Sequence, residues 1–458
     1  MRYVIIGGGV AGTTVADSLP LFDNLAQITL ISATDTVKKV IDLEQKGEVV
    51  SSFNISDSSP ETNRYNFICG AVIRCDIDER IVTLKDGRVV PYDRMCVATG
   101  ARPNIVFPGL PDVVGIRDTE TVEDLQSRLK HCKHITVLGN GGIASELVFA
   151  MNNCHVSWVI KDKTISSVFV NSVASKFLLD TLGHTSSEVS NIDSSSNISK
   201  RHLYSTTVGS SINSDLQGSA LGPDWYSGRL FDGACQNKLL EIEYDSEISN
   251  VENLVESDHK IQITLSNGKV IKSDILVSAT GVIPNSDIFQ GSLKVCEADG
   301  GILVNRRMQT SNPHVFAAGD VCTIPWRESE NWKQMRLWTQ ALQQGFYTAR
   351  CMATSVDDKI EPDIAFEIFT HSTKLFGFKI ILLGRFQEWE GCQCYFRITP
   401  QTEYIKLVVF DSRIQGALLI GETDLEEVME NLILNQLDIS QLGEDILDPN
   451  IDIEDYFD

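Results

Sequence analysis

One pattern occurs twice in this chain at a fixed offset. Asp86-Gly87, Asp93, Ala98-Thr99-Gly100 and Pro103-Asn104 return as Asn267-Gly268, Asp274, Ala279-Thr280-Gly281 and Pro284-Asn285, every pair 181 residues apart. Alternating apolar runs, Ile81 to Leu84 and Ile261 to Leu265, precede the two copies. Each copy therefore reads as a short hairpin feeding a strand that ends at Ala-Thr-Gly. A repeat of this length restricts the fold to two units built alike.

A β-like run ending in glycines stands ahead of each copy. Val4-Ile5-Ile6 leads into Gly7-Gly8-Gly9-Val10-Ala11-Gly12, and Ile135-Thr136-Val137-Leu138 leads into Gly139-Asn140-Gly141-Gly142-Ile143-Ala144. Both fit G-x-G-x-x-G/A. The first glycine makes a tight turn, the second lets the backbone approach a pyrophosphate, and the last position lets helix and strand pack closely, with phosphates at the helix N-terminus. One such motif is a weak signal, but two with matching hairpins indicate two dinucleotide-binding domains of α/β class. Gly7 to Ala98 spans 91 residues and Gly139 to Ala279 spans 140, so the second copy carries 49 more. They fall where Ser186 to Ala220 holds 12 serines in 35 residues, too few apolar groups for a core, which marks an insertion at about 184–224.

After the second Ala-Thr-Gly comes Thr310-Ser311-Asn312-Pro313-His314-Val315-Phe316-Ala317-Ala318-Gly319-Asp320. This resembles the second flavin-binding signature of the pyridine nucleotide-disulphide oxidoreductases, in which a strand ends at Gly-Asp beside the flavin. The resemblance implies two nested Rossmann-like domains, for FAD and NAD(P), plus a smaller α+β C-terminal domain. The implied bounds are 1–118 and 282–358 for FAD, 119–281 for NAD(P) and 359–458 for the remainder. It places FAD among Gly7, Gly9, Ala11, Gly12, Ser32, Lys39, Thr99, Gly100, Gly319, Asp320 and Thr339, and NAD(P)H among Gly139, Gly141, Ile143, Lys161 and Gly281. Glu146 is the candidate catalytic residue, giving local polarity near the nicotinamide, and Trp338 to Gly345 reads as a helix whose positive end faces the flavin. Gly218 to Trp225, Met335 to Ala341 and Trp158-Val159-Ile160 with a following base resemble a eukaryotic branch of the family. That branch is associated with the tRNA ligase complex, which it is thought to guard against oxidative inactivation.

Two features depart from the family pattern. An acidic residue usually ends the second strand of such a unit and accepts hydrogen bonds from a ribose. Here Ser32 and Lys161 occupy those places; Lys161, with Lys163, suits the 2′-phosphate of NADPH and equally a solvated strand end, so both nucleotides stay open. The larger departure concerns sulphur. Disulphide reductases of the family carry a cysteine pair soon after the second strand or as C-x-x-C, whereas the first cysteine here is Cys69 and neither C-x-x-C nor C-x-x-x-x-C occurs. Cys392 and Cys394 read as core packing, as does Cys322. His371 reads as a structural histidine, and the eight histidines form no metal-spaced cluster.

Charge bears on partners. With 39 basic and 62 acidic residues the net charge is −23, which disfavours direct nucleic-acid binding. No apolar run approaches the length of a membrane span. Met1-Arg2-Tyr3 leaves no room for a leader before the first strand, and eleven scattered cysteines suit a reducing compartment, so cytoplasm or nucleus is expected. Residues 438–458 hold eight acids and no base among Ile439, Leu442, Ile446, Leu447, Ile451, Ile453, Tyr456 and Phe457, a segment expected either to be solvated or to dock on a basic, apolar partner. Two readings of function remain: a flavin-dependent NAD(P)H oxidoreductase with no internal dithiol, or a cofactor-loaded protein whose nucleotide-dependent association with a partner matters more than turnover.

Overall fold

Val4, Ile5 and Ile6 leave a strand without a polar face, the mark of a parallel strand covered on both sides. In the computed structural model, which describes residues 1–61, 64–184, 204–205, 229–255, 257–355, 360–451, 453 and 456, the strand Arg2–Ile6 is the middle of a five-stranded parallel sheet. Its order is Val315–Ala317, Arg94–Val97, Arg2–Ile6, Gln27–Ser32, Asn66–Cys69. A second parallel sheet runs Val113–Val114, Ile275–Ser278, His134–Leu138, His155–Val159, Leu239–Glu243. The repeat thus extends to strand order, with Arg94–Val97 and Ile275–Ser278 lying beside the central strand in both. Nearly all of the serine-rich insertion and the whole segment Gly218 to Trp225 lie outside the described residues.

The repeated aspartate has a mechanical role. Asp93 Oδ2 accepts the Arg2 N–H at 2.8 Å, and Asp274 Oδ2 accepts those of Lys133 and His134 at 2.7 and 3.0 Å. Each carboxylate anchors the start of the central strand. The antiparallel hairpins feeding the outer strands also recur, as Val72–Asp76, Ile81–Leu84 and Val89–Pro91, and as Ile248–Asn253, Ile261–Leu265 and Val270–Ser273.

The chain divides into two compact units, Met1–Arg102 with Ile283–Ser372 and Pro103–Val282 with Thr373–Asp458. The first crossing comes ahead of the expected boundary at 118, because Val113–Val114 is the edge strand of the second sheet. The first unit runs past 358 because Phe366 is buried in its core with Tyr347 and Trp332 against it. The C-terminal region is α+β: the antiparallel strands Phe378–Gly384, Gln393–Thr399, Glu403–Phe410 and Arg413–Ile420 carry the helix Glu426–Asn435. It shares a unit with the second parallel sheet. Asn171 donates to Glu388 Oε1 at 2.6 Å and accepts from the Tyr404 hydroxyl at 3.0 Å, while Phe177 packs on Phe378 and Tyr404.

Docking of the acidic C-terminus through its apolar residues is not what the fold provides. Ile439, Leu442, Ile446, Leu447 and Ile453 are all buried within this chain. The Ile439 N–H donates to Ser412 O at 2.8 Å, and Arg397 donates to Leu447 O at 3.1 Å. While Asp438, Glu444 and Asp445 are exposed, the apolar residues complete the C-terminal core. Each such side chain contributes about 1.5–3 kcal/mol. Deleting residues 438–458 is therefore expected to lower the melting temperature by more than about 5 °C, measured by differential scanning fluorimetry; an unchanged transition would restore the solvated tail.

Two buried histidines make the fold sensitive to acid. Burial, helped by His155 and His259, holds the His134 pKa down at about 4, and burial takes His371 to about 3. Below about pH 6.5 the unfolded chain binds protons that these folded sites refuse, so stability falls as pH drops from about 6.5 toward 4 and is unaffected by them above that range. We expect the melting temperature to decline between pH 6.5 and 5, and His134→Asn with His371→Asn to flatten the decline; an equal slope in the double variant would assign it to other groups.

Candidate functional site

Three segments meet at the glycine turn of the first unit. Gly7 has φ 122°, and a Cβ there would lie 2.0 Å from Ala98 O, so the turn closes directly on the end of the neighbouring strand. Gly12 leaves no room either, its Cβ position being 1.9 Å from Gly7 O. Gly9 is different, since nothing lies within 4 Å of its missing side chain. It caps the helix Val10–Phe22 with no side-chain hydrogen bond, leaving the first-turn N–H groups, Ala11 among them, facing an open cradle. Against Ala11 packs Gly319, at φ 77° and with a Cβ position 2.8 Å from Ala11 Cβ; its N–H donates to Gln344 Oε1 at 2.8 Å. Gly345 brings the helix Trp338–Ala353 equally close, 2.7 Å from Ala11 O to its Cβ position.

Asp320 is buried beside this junction and held by its own backbone. Arg336 Nε donates to Asp320 O at 2.8 Å, while the same guanidinium meets Asp299 at 2.6 Å. Hydrogen bonds from Arg336, Gly301 and Thr323 keep the Asp299 carboxyl below its usual range despite burial. Cys322 is sealed, donating toward Gly319 O and Gln344 Oε1, and burial pushes its thiol to about 12. Thr99 and Gly100 close the same end: Thr99 Oγ1 donates to Asn285 O at 2.8 Å and the Asn285 N–H to Gly100 O at 2.9 Å.

The remaining expected FAD contacts turn elsewhere. Ser32 is buried with its hydroxyl 3.3 Å from Thr34 Oγ1 and close against Gly8, so it shapes the turn. Lys39 is bound by two carboxylates, Glu61 at 2.6 Å and Asp17 at 3.1 Å, which fixes the hairpin Val37–Lys46/Val49–Ser58 to the first helix. Thr339 directs its hydroxyl to His371 Nδ1 at 3.0 Å. His371 is correspondingly a buried structural residue.

The second unit repeats the turn. Gly139 has φ 129° with its Cβ position 2.2 Å from Ala279 O, and Gly141 has nothing within 4 Å. Gly141 caps the helix Gly142–Ala150 without a side-chain bond, and Ile143 lies buried in the first turn. Gly281, at φ 99°, accepts the Asn104 N–H at 3.0 Å, while Thr280 Oγ1 donates to Asn104 O at 3.1 Å. Glu146 is buried on the helix that starts at this cradle. Lys161 stands exposed just past the second strand.

Sequence reasoning missed the residues that line this turn from the side. Asn140, between the glycines, donates to Asp162 Oδ2 at 2.7 Å and to Ser167 at 2.9 Å, and accepts the Ser166 N–H at 2.5 Å. Ser145 and Ser166 share a buried bond of 2.8 Å, and the Trp158 indole donates to Gly139 O at 2.7 Å. The acid nearest the strand end, Asp162, is thus engaged by the turn itself. A polar residue inside the glycine motif was the available signal.

Because a side chain at Gly139 meets backbone and not a movable group, Gly139→Ala is expected to abolish detectable NAD(P)H binding. Gly141→Ala, which fills the cradle without strain, should fold normally and weaken it by at least about tenfold, or about 1.4 kcal/mol. Calorimetric titration checks both, and equal affinity in Gly141→Ala would remove the cradle assignment.

The chain matches the family described as pyridine nucleotide-disulphide oxidoreductase over residues 1–216 and 234–345. It is 38% identical over 497 residues to the human pyridine nucleotide-disulfide oxidoreductase domain-containing protein 1 and 41% over 485 to that of Danio rerio, covering all of this chain and 98% of each relative. Among solved structures it superposes on the covalent putidaredoxin reductase–putidaredoxin complex (TM-score 0.67, 18% identity, 95% and 94% of the two chains). It superposes equally on the water-forming NADH oxidase of Lactobacillus brevis bound to NADH (0.67, 17%, 97% and 92%). The open glycine cradles at Gly9 and Gly141 and the buried Gly319-Asp320 turn are the candidate places for FAD and NAD(P)H. The chain belongs to the pyridine nucleotide-disulphide oxidoreductase family, as a flavin-dependent protein of α/β fold.

Proposed function

We propose that this protein is an FAD-dependent NAD(P)H oxidoreductase that works without a redox-active cysteine pair, and that it protects a partner from oxidative inactivation. The observation that carries the reading is the pair of intact cradles at Gly9 and Gly141 in a chain whose eleven cysteines are all free, with no helix-borne dithiol after the second strand. Bound together, the two cofactors supply hydride transfer from nicotinamide to flavin. The chain supplies position and polarity. Uncapped N–H groups at Ala11 and Ile143 receive phosphates, Asp320 accepts hydrogen bonds from the flavin side chain, and the uncapped N-terminus at Trp338–Thr339 favours negative charge nearby. Buried Glu146 tunes polarity at the nicotinamide. Exposed Lys161 and Lys163 are open to a 2′-phosphate, which would favour NADPH.

The partner we infer is the tRNA ligase complex, on the strength of the family resemblance in Met335 to Ala341 and Trp158 to Lys161, with a cytoplasmic or nuclear location. A net charge of −23 suits contact with the proteins of such an assembly and not with its RNA. The second reading, a cofactor-loaded binding protein, is favoured by the missing dithiol, since no internal group then receives electrons.

Stopped-flow reduction by NADH and NADPH, with and without oxygen, separates the two. Rapid flavin reduction followed by reoxidation supports the enzyme; reduction slower than partner binding supports the second reading. Asp320→Ala is expected to lose about 1.5–3 kcal/mol of flavin binding and to purify flavin-poor, whereas full occupancy after dialysis would sink the assignment. Replacing Cys392 and Cys394 together by Ser should leave reduction unchanged, and a tenfold slower rate would return redox chemistry to that pair.

A further inference from the structure

Three cysteines from separate segments of the second unit converge on the loop 232–238. The loop is fastened by backbone bonds: Gly233 N–H to Asn152 O at 3.0 Å, Ala234 N–H to Cys132 O at 2.7 Å and Cys235 N–H to Asn153 O at 2.7 Å. The last bond brings the Cα atoms of Cys235 and Cys154 to about 6 Å by standard peptide geometry, inside the roughly 4.4–6.8 Å span of disulfides. Gly233 permits the approach, since a Cβ there would sit 2.5 Å from Cys154 Cβ and 2.9 Å from Cys132 O. Burial pushes the Cys154 thiol up to about 12, opposed by the charge of Lys238. Lys238 is fixed in place, its ammonium donating to Val148 O at 2.6 Å and Phe149 O at 3.3 Å.

The three thiols differ in access. Cys132 and Cys154 are buried, and Cys132 donates to Arg128 O at 3.2 Å. Cys235 is half-exposed, with its thiol 3.4 Å from Lys133 O. An accessible thiol and a buried neighbour within bridging distance are the parts of a reversible thiol switch.

We propose that Cys235 and Cys154 form a peroxide-responsive disulfide that locks the loop 232–238 to the start of the strand His155–Val159. Cys235 sulfur attacks one oxygen of hydrogen peroxide, the O–O bond breaks, and a sulfenic acid and water result. Cys154 sulfur then attacks the sulfenic sulfur, the S–O bond breaks, and the oxygen leaves as a second water with the thiol proton. Two thiols lose two electrons and one peroxide gains them. The site stands independently of the flavin reading, because neither step uses the nucleotide cradles.

The test treats the full-length holoprotein with a few equivalents of hydrogen peroxide, alkylates the free thiols and maps the peptides by mass spectrometry without reductant. The expected result is a Cys154–Cys235 cross-linked peptide, reversed by a phosphine reductant and absent in Cys235→Ser. In Cys154→Ser, Cys235 should instead be trapped by dimedone. Two internal comparisons fix the interpretation. Cys69 is exposed and reports ordinary thiol reactivity, while the buried neighbours Cys392 and Cys394 report what proximity alone does. The proposal is overturned if Cys154 and Cys235 are both alkylated while Cys69 is oxidised, if Cys235 links to Cys132, or if Cys392–Cys394 closes first. Flavin absorbance, recorded in the same samples, should be unchanged in both variants.

Discussion

Everything at the two nucleotide sites depends on one close approach, repeated once. The carbonyl of Ala98 reaches the turn at Gly7 and that of Ala279 the turn at Gly139, each to within 2.2 Å of where a side chain would begin. Backbone on both sides of the contact means that no rotamer change can relieve a larger residue. Closing the turn on the neighbouring strand aims the following helix, and the next odd position, Gly9 or Gly141, is then left with empty space over uncapped N–H groups. Tightness at the first glycine and openness at the second are two sides of one geometry.

The 181-residue offset carries a second consequence at the asparagines. Asn285, from the later copy, accepts Thr99 Oγ1 and donates to Gly100 O; Asn104, from the earlier copy, accepts Thr280 Oγ1 and donates to Gly281 O. Each Ala-Thr-Gly end is thus finished by the other copy's asparagine. The chain passes between units at 102/103 and 282/283, just after each Ala-Thr-Gly, so the asparagine that follows each of these crossings completes the turn of the other copy. A repeat preserved at constant spacing follows naturally from such reciprocal bonding.

How much of this was legible follows from the range of the interactions. The glycine turns, the hairpins and Gly319-Asp320 are local patterns, and each fell where its spacing required. The α+β character of the C-terminal region was legible through the family resemblance. The intrachain partners of Lys39 and Thr339 were not legible: Glu61, Asp17 and His371 lie 22 to 32 residues away, and no local motif announces them. The acidic C-terminus misled in the same way, because alternating acids and aliphatics look alike whether the aliphatics face a partner or the chain's own sheet. Asn140 was hidden inside a motif read only for its glycines, although its side chain ties Asp162, Ser166 and Ser167 to the turn.

The missing dithiol acquires a structural form in the hairpin Val37–Lys46/Val49–Ser58. It occupies the stretch after the second strand where disulphide reductases of the family carry their cysteine pair, and it contains no cysteine. Its turn is tied down by Glu48 O, which accepts the Thr370 hydroxyl at 3.1 Å, and its base by Lys38 O, which accepts the Thr13 hydroxyl at 2.7 Å. Lys39 fastens its base through Asp17 and Glu61. A two-stranded ribbon held at both ends cannot present two sulfurs one helical turn apart, so substituting cysteines into it would not recreate a reductase. On the reading proposed above, electrons that reach a flavin at the Gly9 cradle are not passed through a cysteine pair in this hairpin.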